Sequence, residues 1–546
     1  MRLNSWLALV CAAAFVATQP ARADEAGDLK AKFEALEKQM EAVKAQLDQV
    51  TQQLAKQKEE QQKAAAAAPA SGGGSAFLKK KEGDPVTFTT PGGEITLYGH
   101  FNVSLDDTTK GIADKVDGSG NHPVGRVGWM PAMSTNLSYL GVKGFQKIQD
   151  DLNFVYQFET QIDITASSGI TNTNSNSSGV VKGALTTRDT FIGLADKSWG
   201  AAKFGKTDAP YKKSTARMNP FNGMIGDYAV IMGNTGGDNR VEFGTRLDKS
   251  IWYESPSWYG LSLAALYSPS QNRSLDNSNI AAGESDCAGG NLPGSGALPP
   301  ACNDGSYGTA YSASITYDAK KYLPLYVTAA YEMHKDVNRI SDQPTAAFPA
   351  GYPLDIGDEY AWKVGVEYAF PTGTTVGAIW EEMRRNEPHP LEIQNERSRN
   401  GFWLTGTQKL TAHDSISVGW AHAFGTPGDP GQHNTGGTVI TDPATGVFGN
   451  PNPDNQANMY TIALKHNMTN ALQVYADWAL TMNHPLAHYD LGAGGRGVTT
   501  DCHDGTDLAA FDATANAGAG GVTYGGPHCW AGGRLQGLSI GMDYKF

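Results

Sequence analysis

Long apolar runs are missing from this sequence of 546 residues, and so is an excess of positive charge. A membrane-spanning helix needs about 20 consecutive apolar residues. Any insertion into a bilayer therefore has to use strands, which satisfy their backbone groups in lipid only by closing into a barrel. The formal net charge is −13 and the pI is about 5.4. That charge argues against nucleic acid and anionic lipid surfaces as partners.

Catalytic and metal-binding signatures are missing as well. The sequence has no His-Glu-x-x-His, no Gly-x-Ser-x-Gly and no phosphate-binding loop, and its 12 histidines are scattered. Barrel enzymes can build Ser/His/Asp-type sites from distant strands, but no such set stands out here. We therefore expect no enzymatic activity, no cofactor and no resident metal ion.

Cysteine is scarce, with five residues in the whole chain, one of them at position 11. The other four lie in Gly/Pro-rich segments, Cys287 with Cys302 in one and Cys502 with Cys529 in another. An even number of cysteines in an oxidising compartment favours disulfides, and pairing within each segment is the simplest connectivity. Histidines beside Cys502 and Cys529 leave a zinc site as the alternative.

The N-terminal residues have the features of an export signal. Arg2 precedes the apolar run Trp6–Val16, and Ala21-Arg22-Ala23 supplies the small-residue pattern of a secretory cleavage site. We therefore expect residues 1–23 to be a signal peptide, with the exported chain starting at Asp24.

Residues 24–63 carry a seam of apolar residues at heptad spacing, which predicts a coiled coil. The seam consists of Leu29, Phe33, Leu36, Met40, Val43, Leu47, Val50 and Leu54. Glutamines at 39, 46 and 53 occupy the heptad positions at which charged residues would select the partner helix. A bundle of three or more helices is therefore favoured, and a two-helix coiled coil is the alternative. An Ala/Pro/Gly/Ser-rich linker follows over residues 64–93, with Pro69 ending the helix.

The body of the chain, residues 94–546, repeats the period-two pattern of strands with one apolar and one polar face. In one such segment, Tyr156 and Phe158 alternate with Gln157 and Glu159. Charged residues opposite aromatic ones suit a barrel with lipid outside and water inside, and a soluble β-sandwich is the alternative. The sixteen segments are Ile95–Asp106, Asn136–Phe145, Asn153–Ile164, Arg188–Leu194, Ala201–Lys206, Lys249–Glu254, Leu261–Tyr267, Tyr311–Tyr317, Leu325–Tyr331, Trp362–Phe370, Val376–Glu382, Gly401–Lys409, Ser415–Phe424, Met459–Lys465, Leu472–Leu480 and Leu538–Phe546.

The predicted fold class is therefore all-β: a transmembrane antiparallel barrel of about 16 strands, preceded by an α-helical coiled coil. The last segment, Leu538–Phe546, alternates without a slip and ends on an aromatic residue. That ending is typical of the closing strand of an outer-membrane barrel, whose terminal aromatic lies in the interfacial girdle.

The body resembles the general trimeric porins of Gram-negative type. The matching stretches are Leu97-Tyr98-Gly99, Ser138–Gly144, Arg188–Leu194, Ile251–Pro256 and Tyr544-Lys545-Phe546. The resemblance implies a homotrimer of barrels in outer-membrane lipid, with the coiled-coil stalk in the periplasm. It also implies that the third external loop, here about Ala209–Asp248, folds into the lumen as a constriction.

In the porin family, arginines on three of these stretches form a basic ladder that faces an acidic constriction loop. This chain keeps only Arg188, while Tyr139 and Trp252 stand at the other two positions and point inward by strand parity. The difference predicts a more aromatic eyelet with a weaker preference for anions. Neutral drift or a shifted register is the alternative.

Acidic residues complete the set of predicted constriction residues. Glu159 belongs to the polar face of its strand, and the third loop contributes Asp227, Asp238 and Glu242. Arginines at positions 217, 240 and 246 share the loop, so the sign of its field is left open.

These features together predict a water-filled outer-membrane channel through which small hydrophilic solutes and ions diffuse passively. The alternative is a structural protein whose coiled coil tethers the outer membrane to cell-wall peptidoglycan. The two functions are compatible, and an open lumen would distinguish them.

Overall fold

The computed structural model of the protein describes residues 78–79, 85–111, 130–162, 164–165, 188–233, 243–269, 308–320, 323–335, 358–386, 398–425, 456–484, 489, 491, 502–503, 529–530 and 534–546. They belong to one compact unit, Phe77–Phe546. The predicted signal peptide (1–23) and coiled coil (24–63) lie outside the described residues. So do Asp238, Glu242, Cys287 and Cys302.

Most of the described residues lie in strands. In chain order the strands are β1 Leu78–Lys79, β2 Val86–Thr90, β3 Gly93–Gly111, β4 Met130–Thr135, β5 Tyr139–Gln149, β6 Leu152–Gln161, β7 Thr190–Asp196, β8 Gly200–Asp208, β9 Arg246–Glu254, β10 Leu261–Ser268, β11 Thr309–Asp318, β12 Leu325–Lys335, β13 Asp358–Ala369, β14 Thr374–Arg385, β15 Arg399–Lys409, β16 Asp414–Ala423, β17 Ala457–Asn467, β18 Leu472–Asn483, β19 Cys502–His503, β20 Cys529–Trp530 and β21 Arg534–Lys545. The helical segments are α1 Pro210–Thr215 and two 3₁₀ turns, Ala216–Met218 and Tyr228–Val230. No helix among the described residues is long and apolar enough to cross a membrane.

The sheet closes on itself. Each strand from β5 to β18 pairs antiparallel with the next, and β21 pairs with both β18 and β3. Because β4 and β5 are the two halves of one position beside β3, the described residues form sixteen barrel strands. Each of the sixteen segments predicted from the sequence overlaps one of them. The predicted antiparallel barrel is therefore confirmed.

The two faces of the wall differ in polarity, as the period-two pattern predicts. Leu105 and Ile540 point outward and are 57% and 60% exposed, whereas their neighbours Asp106 and Ser539 point inward and are 0% and 2% exposed. This inversion of the soluble-protein pattern places apolar side chains where lipid lies and polar ones toward the lumen.

Strands β1 and β2 form an N-terminal arm that extends the barrel wall past the C-terminal end of the closing strand β21. The arm lies within residues 64–93, where the sequence predicts only a linker. β2 pairs with Gly93–Leu97 of β3, and β21 pairs with the same edge of β3 from His100 to Gly111. Phe546 ends β21 at this point, with its backbone N–H and C=O hydrogen-bonded to Gly99. β2 therefore covers an edge that would otherwise be unpaired.

Cys502 and Cys529 lie in the small separate sheet formed by β19 and β20. These strands run parallel, and the register places Cys502 directly opposite Cys529.

Candidate functional site

The described parts of the long connection between β8 and β9, residues 209–233 and 243–245, run along the inner face of the barrel and are named here the inner loop. It begins with α1, whose first residue is Pro210, because proline is favoured at the first helical position. The backbone N–H of Tyr211 donates to Ser312 Oγ at 3.0 Å. The Tyr326 hydroxyl donates to the carbonyl of Ser214 at 2.6 Å. These bonds fix the start of the loop to β11 and β12.

Side chains of the barrel wall donate hydrogen bonds to backbone carbonyls in the middle of the inner loop and so hold it in place. Trp403 Nε1 donates to the carbonyl of Met218 at 3.0 Å, and Thr461 Oγ1 donates to that of Gly226 at 2.9 Å. The Lys465 ammonium group donates to the carbonyl of Pro220. The wall strands β15 and β17 therefore satisfy loop backbone groups that would otherwise be buried without partners.

The tip of the inner loop reaches the first barrel strand. Gly223 has a φ of 75°, a left-handed conformation that favours glycine. Its carbonyl accepts from Asn102 Nδ2 at 3.4 Å, while Asn102 Oδ1 accepts from the Tyr475 hydroxyl at 2.7 Å. The loop therefore spans the inner face from β11 around to β3.

Apolar packing stabilises the inner loop in this position. Phe221 packs edge-on against Trp403 at 5.8 Å between ring centres, and Tyr228 stacks on the same ring at 5.3 Å. Phe221 and Trp403 are both fully buried. Burying aromatic side chains of this size contributes on the order of 2–3 kcal/mol each, so the loop is an integral part of the barrel core.

Buried carboxylates anchor the return of the inner loop. The backbone N–H of Gly233 donates to Glu381 Oε1 at 2.6 Å, and that of Gly244 donates to Glu332 Oε1 at 3.0 Å. The Tyr211 hydroxyl donates to Glu381 Oε2 at 2.8 Å, and burial raises the pKa of that hydroxyl. Glu381 therefore joins the first turn of the loop to Gly233, and Glu332 holds its end at Gly244.

Three predicted constriction residues come together on the opposite wall. Arg188 forms an ion pair with Glu159, and its guanidinium carbon lies 4.5 Å from the ring centre of Tyr139. The Tyr98 hydroxyl donates to Glu159 Oε2 at 2.9 Å, and Lys143 Nζ lies 5.0 Å from the Tyr98 ring centre. Cationic groups over ring faces are attracted by the aromatic quadrupole. The retained arginine is therefore neutralised by its neighbour.

Trp252 lies on the inner face, as strand parity predicts, but it is covered. Its outward neighbours Ile251 and Tyr253 are exposed, whereas Trp252 is 3% exposed. Its ring meets Phe191 edge-on at 5.3 Å, and Nε1 donates to Glu254 Oε1 at 3.0 Å. The packing of α1 and the end of the inner loop over this wall explains the burial.

Asp227, one of the predicted constriction residues, is a buried capping residue of the inner loop. The residue is 4% exposed, and Oδ1 accepts from the backbone N–H of Ala229 at 3.0 Å and from Asn219 Nδ2 at 2.9 Å. It thus caps the 3₁₀ turn that follows. Burial raises the pKa of its carboxyl.

The exposed charges of the inner loop, within the described residues, are cations, and the sequence analysis singles out only Arg217 among them. The side chains of Lys212, Lys213 and Arg217 are 47%, 43% and 40% exposed. Lys212 pairs with Asp208 at 3.0 Å, and Arg217 pairs with Glu367 at 2.7 Å. Proline at position 210 is the signal that could have placed a helix, and hence these side chains, in the loop.

The sequence matches the family model described as Gram-negative porin over residues 64–484, which is most of the chain. The chain belongs to the Gram-negative porin family. Porin membership and the closed barrel together support an outer-membrane channel protein. The described part of this porin contains no group of three or more His, Cys, Asp or Glu side chains that could hold a metal ion.

Two relatives illustrate the similarity. The major outer membrane protein P.IB of Neisseria sicca is 23% identical over 192 residues, which are 34% of this chain and 45% of that protein. This porin thus aligns with less than half of the length of that relative. The anion-selective porin from Comamonas acidovorans has 13% sequence identity to this chain and a TM-score of 0.51. The alignment covers 83% of this chain and 100% of the Comamonas protein. At that identity the second likeness concerns the fold alone.

Proposed function

We propose that the protein is a water-filled porin through which small hydrophilic solutes and ions cross the outer membrane by passive diffusion, narrowed by the inner loop. The observation that carries this proposal is the packing of the inner loop, residues 209–233 and 243–245, against the inner wall from β11 around to β3. On the inner face of β3 and β5, Tyr98 and Tyr139 are half-buried and Lys143 is exposed. These side chains support a polar passage beside the loop.

The proposed assembly is a homotrimer in outer-membrane lipid, with the predicted coiled coil in the periplasm. The outward apolar band supports contact with lipid. The heptad seam of residues 24–63 favours three or more strands, which matches the assembly implied by the porin resemblance. The activity proposed is transport without catalysis.

A planar bilayer recording tests the channel. Purified protein should give stepwise, ohmic increases in conductance, because a water-filled lumen conducts in proportion to voltage. Replacing residues 216–230 by a short Gly-Ser linker should raise the single-channel conductance, since it removes the narrowing element. Folded protein that leaves the bilayer closed would contradict the channel, and an unchanged conductance in the variant would contradict the constriction.

A second function is favoured by the heptad seam of residues 24–63, which predicts a stalk outside the barrel. We propose that residues 24–63 also bind peptidoglycan and so tether the outer membrane. Sedimentation with purified peptidoglycan should retain the whole protein and release a variant lacking residues 24–63. Equal sedimentation of both proteins would exclude the tether and leave the channel untouched.

A further inference from the structure

Two carboxylates are buried where the barrel closes. Asp106 of β3 and Asp477 of β18 each lie opposite Ser539 of β21, one on either side of it. Asp106 is 0% exposed and Asp477 is 4% exposed. Neighbouring strands lie about 4.8 Å apart, so the two aspartate backbones are separated by about 10 Å. That spacing brings two inward carboxylates within reach of one small ligand above Ser539.

The two carboxylates differ in how they are satisfied. Asp106 accepts from Ser134 Oγ at 2.5 Å and from Ser539 Oγ at 2.6 Å. Neither oxygen of Asp477 has a hydrogen-bond partner within the described part of the chain. The single hydroxyl hydrogen of Ser539 goes to Asp106, and Lys465 of the adjacent strand β17 donates to a loop carbonyl instead. Asp477 is therefore a buried carboxylate without a donor.

A hydroxyl beside this pair also lacks a partner. Thr108 follows Asp106 on the same inner face of β3 and is 3% exposed, and its Oγ1 has no hydrogen-bond partner among the described residues. The position across from it is Gly537. A Cβ atom built at Gly537 would lie 3.2 Å from Ile225 of the inner loop and 3.0 Å from Leu491. An apolar roof thus separates these oxygens from the lumen.

This arrangement needs a compensating charge. Burying an ion costs several kcal/mol unless a partner offsets it, and an unsatisfied buried polar group calls for an explanation such as a bound ion. Every unpartnered atom here is an oxygen, and oxygen ligands including carboxylates are those that Ca²⁺ prefers. The buried Lys465 ammonium group interacts electrostatically with Asp477 but can offset only one of the two carboxylates, so a bound cation has negative charge left to compensate.

We propose that Asp106 and Asp477, with the hydroxyl oxygen of Ser539, bind a hard divalent cation of the calcium class. The site lies at the junction of β18, β21 and β3. A cation there links the last two strands to the first and holds the barrel closed beneath the tip of the inner loop. This function is structural and is separate from the passage of solutes.

Calcium binding to the purified, full-length protein tests the site. After removal of metals, titration with radioactive Ca²⁺ should find one bound ion per chain, and Asp477→Asn should lower the affinity at least about tenfold. Asp151→Asn is the matched control, since that carboxylate is 57% exposed in a turn and should leave binding unchanged. No binding by the wild-type protein, or equal binding by Asp477→Asn, would overturn the proposal.

Thermal unfolding in detergent gives a second, independent measurement. Calcium should raise the unfolding temperature of the wild-type protein, EDTA should reverse the rise, and Asp477→Asn should respond to neither. Thr108→Val keeps both carboxylates and their hydrogen bonds, and it should leave the calcium response unchanged because Thr108 lies opposite Gly537 and not opposite Ser539. If the wild-type protein ignores calcium while Asp477→Asn is more stable at every calcium concentration, the pair shares a proton and the cation site is wrong.

Discussion

Arg188 and Glu159 form an ion pair on the inner wall, and this pair removes the free charge of the one ladder arginine that the chain retains. The side chains of Arg188 and Glu159 are 14% and 7% exposed, so water screens them weakly. The same carboxylate accepts from the Tyr98 hydroxyl, and the same guanidinium lies over the Tyr139 ring. This wall therefore presents phenol rings and a neutralised pair to the passage.

Glu159→Gln should increase the preference for anions. The substitution keeps the size of the side chain and a hydrogen bond from Tyr98, but it removes the negative charge that offsets Arg188. We expect the anion/cation permeability ratio to rise by about twofold or more, since an uncompensated charge about 10 Å from a permeating ion in water is worth about 0.4 kcal/mol. The reversal potential in a KCl gradient measures this ratio. A shift toward cations would show that Arg188 does not face the passage.

The exposed lysines of the inner loop should contribute to the same ratio. The double variant Lys212→Gln, Lys213→Gln removes two exposed ammonium groups. It leaves in place their partners Asp208 and Glu254, which are less exposed than the lysines. We expect the double variant to be less anion-preferring than the wild-type protein, with a larger difference at low salt, where screening is weak. Lys197→Gln is the control, because Lys197 lies 84% exposed in a turn and pairs with Asp151. Equal reversal potentials for the double variant and the wild-type protein would exclude these lysines.

The two ladder positions that lost arginine should respond differently when it is restored. Tyr139→Arg places a second cation beside Arg188 on the half-buried wall, so the anion/cation permeability ratio should rise. Trp252→Arg instead buries a charge against Phe191, with Glu254 as its nearest acceptor. We expect it to lower stability by about 3 kcal/mol or more. Reversal potentials and thermal unfolding in detergent separate the two effects.

The strands and their two faces could be predicted from the sequence because the period-two pattern is local. Phe158 and Glu159, for example, differ in face simply because they are neighbours in an extended strand. The meeting of Tyr139, Glu159 and Arg188 follows from the same parity on adjacent strands. These predictions needed no knowledge of distant contacts beyond strand order.

The covering of the inner wall at Trp252 could not be predicted from the sequence, because it depends on how the inner loop packs. Trp252 is buried by a six-residue helix too short to show a helical period in the sequence. Asp227 is buried because it caps a turn whose existence depends on Trp403, far along the chain. The N-terminal arm was missed because its strand of five residues lies directly after a segment with linker composition.

A disulfide should join Cys502 and Cys529. The parallel pairing of β19 and β20 puts the two residues opposite each other, and neighbouring strand positions lie within the Cα separation that a disulfide spans. Peptide mapping without reductant should find a Cys502–Cys529 peptide, and a separate Cys287–Cys302 peptide is expected from the sequence. Peptides that join the two pairs, or one zinc ion per chain with free thiols, would refute this pairing.

The N-terminal arm should separate two effects of truncation. Removing residues 24–76 deletes the predicted coiled coil but keeps β1 and β2, so the barrel should still conduct while its trimers dissociate at a lower temperature. Removing residues 24–91 also strips β2 from Gly93–Leu97 and leaves that edge of β3 unpaired beside Phe546. We expect this longer deletion to lower the unfolding temperature of the barrel monomer as well.

Heat-dependent mobility on gels, read separately for trimer and folded monomer, measures both the dissociation of the trimer and the unfolding of the monomer. Identical monomer unfolding for the two deletions would mean that β2 does not stabilise the barrel seam, and loss of membrane insertion in the shorter one would place the start of the barrel module before residue 77.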